Sequence, residues 1–96
     1  NNKIINIHPS LLPKYGGKGM YGMNVHNEVI KNREAESGIS IHYVNNQYDE
    51  GKIIFQKSTK IIYPSNAENL SKKIHELEMK YFPEIIEKLI NSECYE

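Results

Sequence analysis

An α/β fold is what this sequence predicts, on three observations. Runs of branched and aromatic residues at 4–7, 39–44 and 52–62 read as strands. They alternate with segments whose apolar residues recur at helical spacing. Proline or glycine punctuates nearly every junction. The chain has 96 residues, enough for one small domain, which would bury roughly 65% of the surface its unfolded form exposes. It contains no internal repeat, low-complexity tract or linker.

The first element is the run Ile4, Ile5, Asn6, Ile7, which reads as a buried, central, two-sided strand. Pro9 ends it by fixing φ and removing a backbone donor. Strand side chains alternate, so Asn6 and His8, two apart, point to the same side and set an amide donor beside an imidazole. Two polar residues within an apolar strand need partners inside the fold. Pro9 and Pro13 bracket Ser10, Leu11 and Leu12, which stiffens the loop leaving the strand. Residues 16–22 hold four glycines and read as a flexible loop on the substrate side or as a plain strand-to-helix connection. Their spacing matches neither the dinucleotide nor the P-loop pattern.

Met20, Met23, Val25, Val29 and Ile30 then predict an amphipathic helix running to a polar end at 32–36, closed by Ser37 and Gly38. The next strand, 39–44, puts Ser40 and His42 on one face and Ile39, Ile41 and Tyr43 on the other, toward a core. A polar loop, 45–51, carries Asp49 and leads into a strand over 52–62. That strand runs antiparallel to its predecessor if the loop is a hairpin, and its lysines and Gln56 mark a partly exposed edge. Pro64 stops it. Ser65, Asn66, Ala67 and Glu68 fit a capping box. Leu70, Ile74, Leu77, Tyr81, Ile85, Ile86 and Leu89 form a helical stripe, and Pro83 predicts a break near Phe82, with a second short helix over 84–90.

Composition narrows the function. Lysine plus arginine and aspartate plus glutamate number 12 each, for a formal net charge of zero. No block of like charge appears, so nothing points to nucleic acid or to an anionic membrane. The single cysteine, Cys94, forms no internal disulfide and favours a reducing compartment. With no apolar run of 18 residues and no signal-peptide layout, the chain reads as cytoplasmic, with a small-molecule partner.

The residues able to carry chemistry are Asn6, His8, Ser40, His42 and Asp49, with His75 and Glu78 further on. His8, His42, His75 and Asp49 lack any recognised local spacing for a metal, so no metal is expected. His26, alone on its helix, reads as a surface residue. His75 and Glu78, three apart on the long helix, are neighbours and fit a solvated pair equally well.

Residues 6–15 (Asn-Ile-His-Pro-Ser-Leu-Leu-Pro-Lys-Tyr), 37–44 (Ser-Gly-Ile-Ser-Ile-His-Tyr-Val) and 48–56 (Tyr-Asp-Glu-Gly-Lys-Ile-Ile-Phe-Gln) together resemble phosphoribosylglycinamide formyltransferase of purine biosynthesis. The resemblance implies that residues 1–96 are the C-terminal half of one formyltransferase domain. That domain is a three-layer α/β/α, Rossmann-like fold whose mixed sheet has an antiparallel edge. Family members carry about another hundred residues upstream, holding the first strands, the phosphate loop and much of the folate pocket. The implied reaction moves a formyl group from 10-formyltetrahydrofolate to the amine of glycinamide ribonucleotide.

By the same resemblance Asn6, His8 and Asp49 are the catalytic trio. The amine attacks the formyl carbon directly, and Asn6 and protonated His8 stabilise the oxyanion. Asp49 would raise the pKa of His8 and assist proton transfer. Ser40 and His42 match supporting positions, or else satisfy each other inside the sheet. Asn45, Asn46, Gln47 and Tyr48 match the loop lining the pteridine pocket, where Asn6 and Asp49 also contact the cosubstrate. Pro9, Ser10, His75 and Glu78 match substrate-side positions, with His75 standing where some relatives have glutamine. The loop at 16–22 also differs from the commonest one in the family. Two relatives share this chemistry: formyltetrahydrofolate deformylase, which needs only water in place of the amine, and methionyl-tRNA formyltransferase. The latter would want a basic face for tRNA. A non-enzymatic alternative is an inactive C-terminal fragment that self-associates through an exposed sheet edge.

Overall fold

Three strands and two helices follow one another in the computed structural model, which describes residues 4–44 and 51–94, with side chains through Asn91. In order they are β1 (Ile4–His8), α1 (Met23–Lys31), β2 (Glu36–Val44), β3 (Ile53–Lys60) and α2 (Ala67–Cys94). The described strands form one antiparallel sheet in the order β1-β2-β3. This is an α/β arrangement with helices against the sheet.

Alternation along the strands sorts the sheet into two faces. Ile7 pairs with Ile41, and Ile41 with Phe55, so these side chains share a side with Ile39. Against that side pack Val25 and Val29 of α1 and Leu70 and Ile74 of α2, completing a core with Ile39 that is at most 2% exposed. Leu77 and Tyr81 extend the α2 stripe, and the Tyr81 ring meets Phe55 at 5.4 Å between centroids. Fully burying such aliphatic side chains contributes about 1.5–3 kcal/mol each. The opposite face is polar: it carries Asn6 and His8 of β1, Ser40 and His42 of β2, and Gln56 of β3.

Several boundaries differ from the sequence reading, each for a local reason. Among the described residues β1 pairs on one side only, with β2. Ile4 is 62% exposed, whereas β2 is buried continuously from Ser37 to His42. Ser37 and Gly38 belong to β2 and do not close α1. The helix instead ends at Asn32, and Arg33 takes the left-handed conformation, φ 51°. Gly38 is required by close approach: a Cβ there would lie 2.1 Å from the Lys57 carbonyl oxygen and 2.7 Å from Leu11 Cδ2.

The α2 cap is Asn66 and not Ser65, its Oδ1 accepting from the Asn69 amide at 2.8 Å. Pro83 does not break α2, which runs through it for 28 residues. Proline leaves the carbonyl four residues earlier without its helical donor, here that of Met79. Pro83 and Met79 both lie on the exposed side, where water can replace that bond. Meanwhile Tyr81 and Ile85 stay on the core side and hold the axis.

Candidate functional site

His8 closes β1 and is 7% exposed. Its Nε2 lies 2.7 Å from the Tyr15 carbonyl oxygen. A carbonyl only accepts, so Nε2 carries the hydrogen, and Nδ1 is the ring nitrogen left for chemistry. Asn6 lies on the same face, solvent-exposed, directly opposite His42 in the register of β1 and β2. His8 pairs with Ser40 in the same way. Cross-strand neighbours of this kind sit about 4.5–5.5 Å apart at Cβ, which draws Asn6, His8, Ser40 and His42 into one patch.

Ser40 and His42 do not satisfy each other. The Ser40 hydroxyl donates to the Ser10 carbonyl at 2.7 Å and accepts from the Leu12 amide at 2.9 Å and from Gln56 Nε2 at 2.8 Å. Gln56 Nε2 also reaches the Leu12 carbonyl at 3.0 Å. One buried serine thus fixes both ends of the proline-bracketed loop to the centre of the sheet. Ser10, fully buried, donates to the Lys14 carbonyl at 2.6 Å, so its side chain is used in holding the loop. His42, also fully buried, donates from Nδ1 to the Tyr43 carbonyl at 3.0 Å. Its Nε2 has no hydrogen-bond partner among the described residues.

Tyr15, at the far end of the loop, sits at φ 58°, a conformation that costs a non-glycine residue about 1–3 kcal/mol. Its hydroxyl donates to Glu34 Oε2 at 2.6 Å and accepts from Asn32 Nδ2 at 2.9 Å. That donation, with help from Lys14, holds the Glu34 carboxyl below the usual range. Burial, and then the bond to Glu34, pushes the Tyr15 phenol up.

A pocket of about 350 Å³ opens beside Pro9, between α1 and α2, lined among others by Met23, His26, Ile74, His75 and Glu78. Pro9, His75 and Glu78 therefore meet there, while Ser10 does not line it. His75 Nδ1 and Glu78 Oε1 are 3.6 Å apart, with the histidine side chain 70% exposed. His26 is not a surface residue. It is 5% exposed, burial lowers its pKa, and its Nδ1 has no partner among the described residues. Asn45, Asn46, Gln47, Tyr48 and Asp49 lie outside the described residues. No group of three metal-ligating side chains occurs among the described residues, and no described helix is long and apolar enough to cross a membrane.

Sequence reasoning missed Tyr15, Glu34 and Gln56. Glu34 read as the polar end of a helix, and the Ser40–Gln56 pairing depends on the β2–β3 register, which no local pattern encodes.

Residues 1–86 match the family model described as formyl transferase. The chain belongs to the formyl transferase family. Among curated relatives it is 42% identical over 84 residues to the chloroplastic phosphoribosylglycinamide formyltransferase of Arabidopsis thaliana, covering 88% of this chain and 29% of the relative. It is 39% identical over 88 residues to the phosphoribosylglycinamide formyltransferase of Bacillus subtilis, covering 92% of this chain and 43% of the relative. The crystal structure of the Bacillus halodurans phosphoribosylglycinamide formyltransferase superposes with a TM-score of 0.79 at 34% identity, over 90% of this chain and 42% of that one. The chain thus spans less than half the length of these family members.

Proposed function

We propose that the protein carrying this chain transfers a formyl group from 10-formyltetrahydrofolate to the amine of glycinamide ribonucleotide. In this reading, residues 1–96 are the C-terminal half of one formyltransferase domain. The observation that carries it is the juxtaposition at the end of β1. An exposed amide, Asn6, stands on the same face as a buried imidazole, His8, whose Nε2 is held by the Tyr15 carbonyl. Relatives named phosphoribosylglycinamide formyltransferase at 39–42% identity support the same reading.

The chemistry follows from that pair. The amine nitrogen attacks the formyl carbon, and the carbonyl oxygen gathers negative charge. Asn6 donates from its amide and protonated His8 from Nδ1 to that oxygen, acting where charge develops. Asp49 takes the proton lost by the attacking amine. Collapse of the tetrahedral species breaks the bond to the folate nitrogen, which takes up the proton that Asp49 accepted from the amine. No covalent enzyme intermediate is needed. The pocket beside Pro9, His75 and Glu78 is assigned to the ribonucleotide, and the loop at 45–49 to the pteridine.

The test offers the intact protein 10-formyltetrahydrofolate with glycinamide ribonucleotide, with water alone and with methionyl-tRNA. Formylated glycinamide ribonucleotide, dependent on both substrates, is the expected product. Release of formate alone would favour a deformylase, formylated methionyl-tRNA the tRNA enzyme, and no product an inactive fragment.

A further inference from the structure

Three side chains, those of His8, Asn32 and Glu34, converge on one residue, Tyr15. The Tyr15 carbonyl takes the hydrogen of His8 Nε2 at 2.7 Å, and Tyr15 presents that carbonyl from a left-handed backbone conformation, φ 58°. The phenol of the same residue is gripped by the α1–β2 connection, through Glu34 Oε2 at 2.6 Å and Asn32 Nδ2 at 2.9 Å. Glu34 is itself anchored: its carbonyl accepts from the Tyr63 hydroxyl at 3.0 Å, and its carboxylate meets Lys14 at 3.4 Å. Apart from His8 itself, none of these groups lies on β1. Nothing on β1 fixes which imidazole nitrogen faces the reaction.

We infer that Glu34, acting through Tyr15, is a positioning residue for His8: the clamp on the phenol holds the Tyr15 carbonyl where it keeps Nε2 turned to the loop, as the Nε2–H form when the ring is neutral, and leaves Nδ1 facing the formyl group when the ring is protonated. The inference rests on His8 acting as proposed above, but the clamp itself is observable without turnover. A second hydrogen-bonded group orienting an imidazole sets both tautomer and ring angle. A hydroxyl held by two partners restrains the residue that carries it. Tyr15 would otherwise relax from its left-handed conformation and carry the carbonyl away from His8. Glutamine at position 34 keeps an acceptor for the phenol, whereas alanine removes it.

The experiment uses the intact protein labelled with ¹⁵N-histidine, read by NMR at mildly alkaline pH, together with steady-state kinetics. Wild type is expected to show the His8 ring as the Nε2–H tautomer alone. Tyr15→Phe and Glu34→Ala are expected to give a mixture of tautomers and a kcat lowered roughly tenfold with KM little changed. Glu34→Gln is expected to restore both. Unchanged His8 nitrogen shifts in Tyr15→Phe and Glu34→Ala would overturn the inference, as would a loss in Glu34→Gln equal to that in Glu34→Ala. Absence of formyl transfer by wild type would overturn the proposed function instead, and the tautomer readout would still decide the clamp.

Discussion

His8 and Ser40 stand opposite each other across β1 and β2, and the serine hydroxyl holds the loop whose far end supplies the carbonyl that fixes the histidine ring. The central strand therefore acts on the site through a loop whose far end, Tyr15, is seven residues from the imidazole in sequence. Ser40→Ala removes one donor and leaves the Leu12 amide without its partner. It is expected to cost about 2–3 kcal/mol in urea denaturation and to lower kcat more than it raises KM.

Gly38 is a packing requirement. The Lys57 carbonyl would lie 2.1 Å from an added Cβ, and backbone on a paired strand yields little. Gly38→Ala is expected to destabilise the fold by about 2 kcal/mol or more, seen as a fall in Tm, whereas Gly17→Ala, with open space around it, costs only its left-handed backbone.

His26 makes stability depend on acid. Burial disfavours its charged form, so its folded pKa lies below the unfolded value of 6.5. Its contribution is complete above that value and falls as pH drops from there toward the lower folded value. Denaturant midpoints measured from pH 7.5 down to about 5 are expected to decline more steeply for wild type than for His26→Gln.

The α2 cap separates two neighbouring residues. Asn66→Ala removes the acceptor for the Asn69 amide and is expected to cost about 1 kcal/mol, while Ser65→Ala leaves the denaturation midpoint nearly unchanged.

How much of this was legible in sequence depends on how local the cause is. The strand alternation at 39–44 and the stripe from Leu70 to Tyr81 were readable because each carries its apolar side chains at the period of one apolar face. The pairing of Asn6 with His8 on one face followed from alternation alone. The continuity of α2 through Pro83 was not readable, because tertiary packing of Tyr81 and Ile85 on either side of the proline outweighs a local propensity. Nor was the burial of His26, since helical spacing does not say how wide the buried stripe is. Tyr15, Glu34 and Gln56 entered the site through contacts 16 to 19 residues apart or through strand register, which only the folded chain reveals.

The most direct measurement is formyl transfer from 10-formyltetrahydrofolate to glycinamide ribonucleotide by the intact protein, compared with its His8→Asn and Asn6→Ala variants after circular dichroism has shown both variants folded. Each variant is expected to lose on the order of a hundredfold or more in kcat. Transfer at the wild-type rate by folded His8→Asn would contradict the assignment of the β1 terminus as the reaction centre.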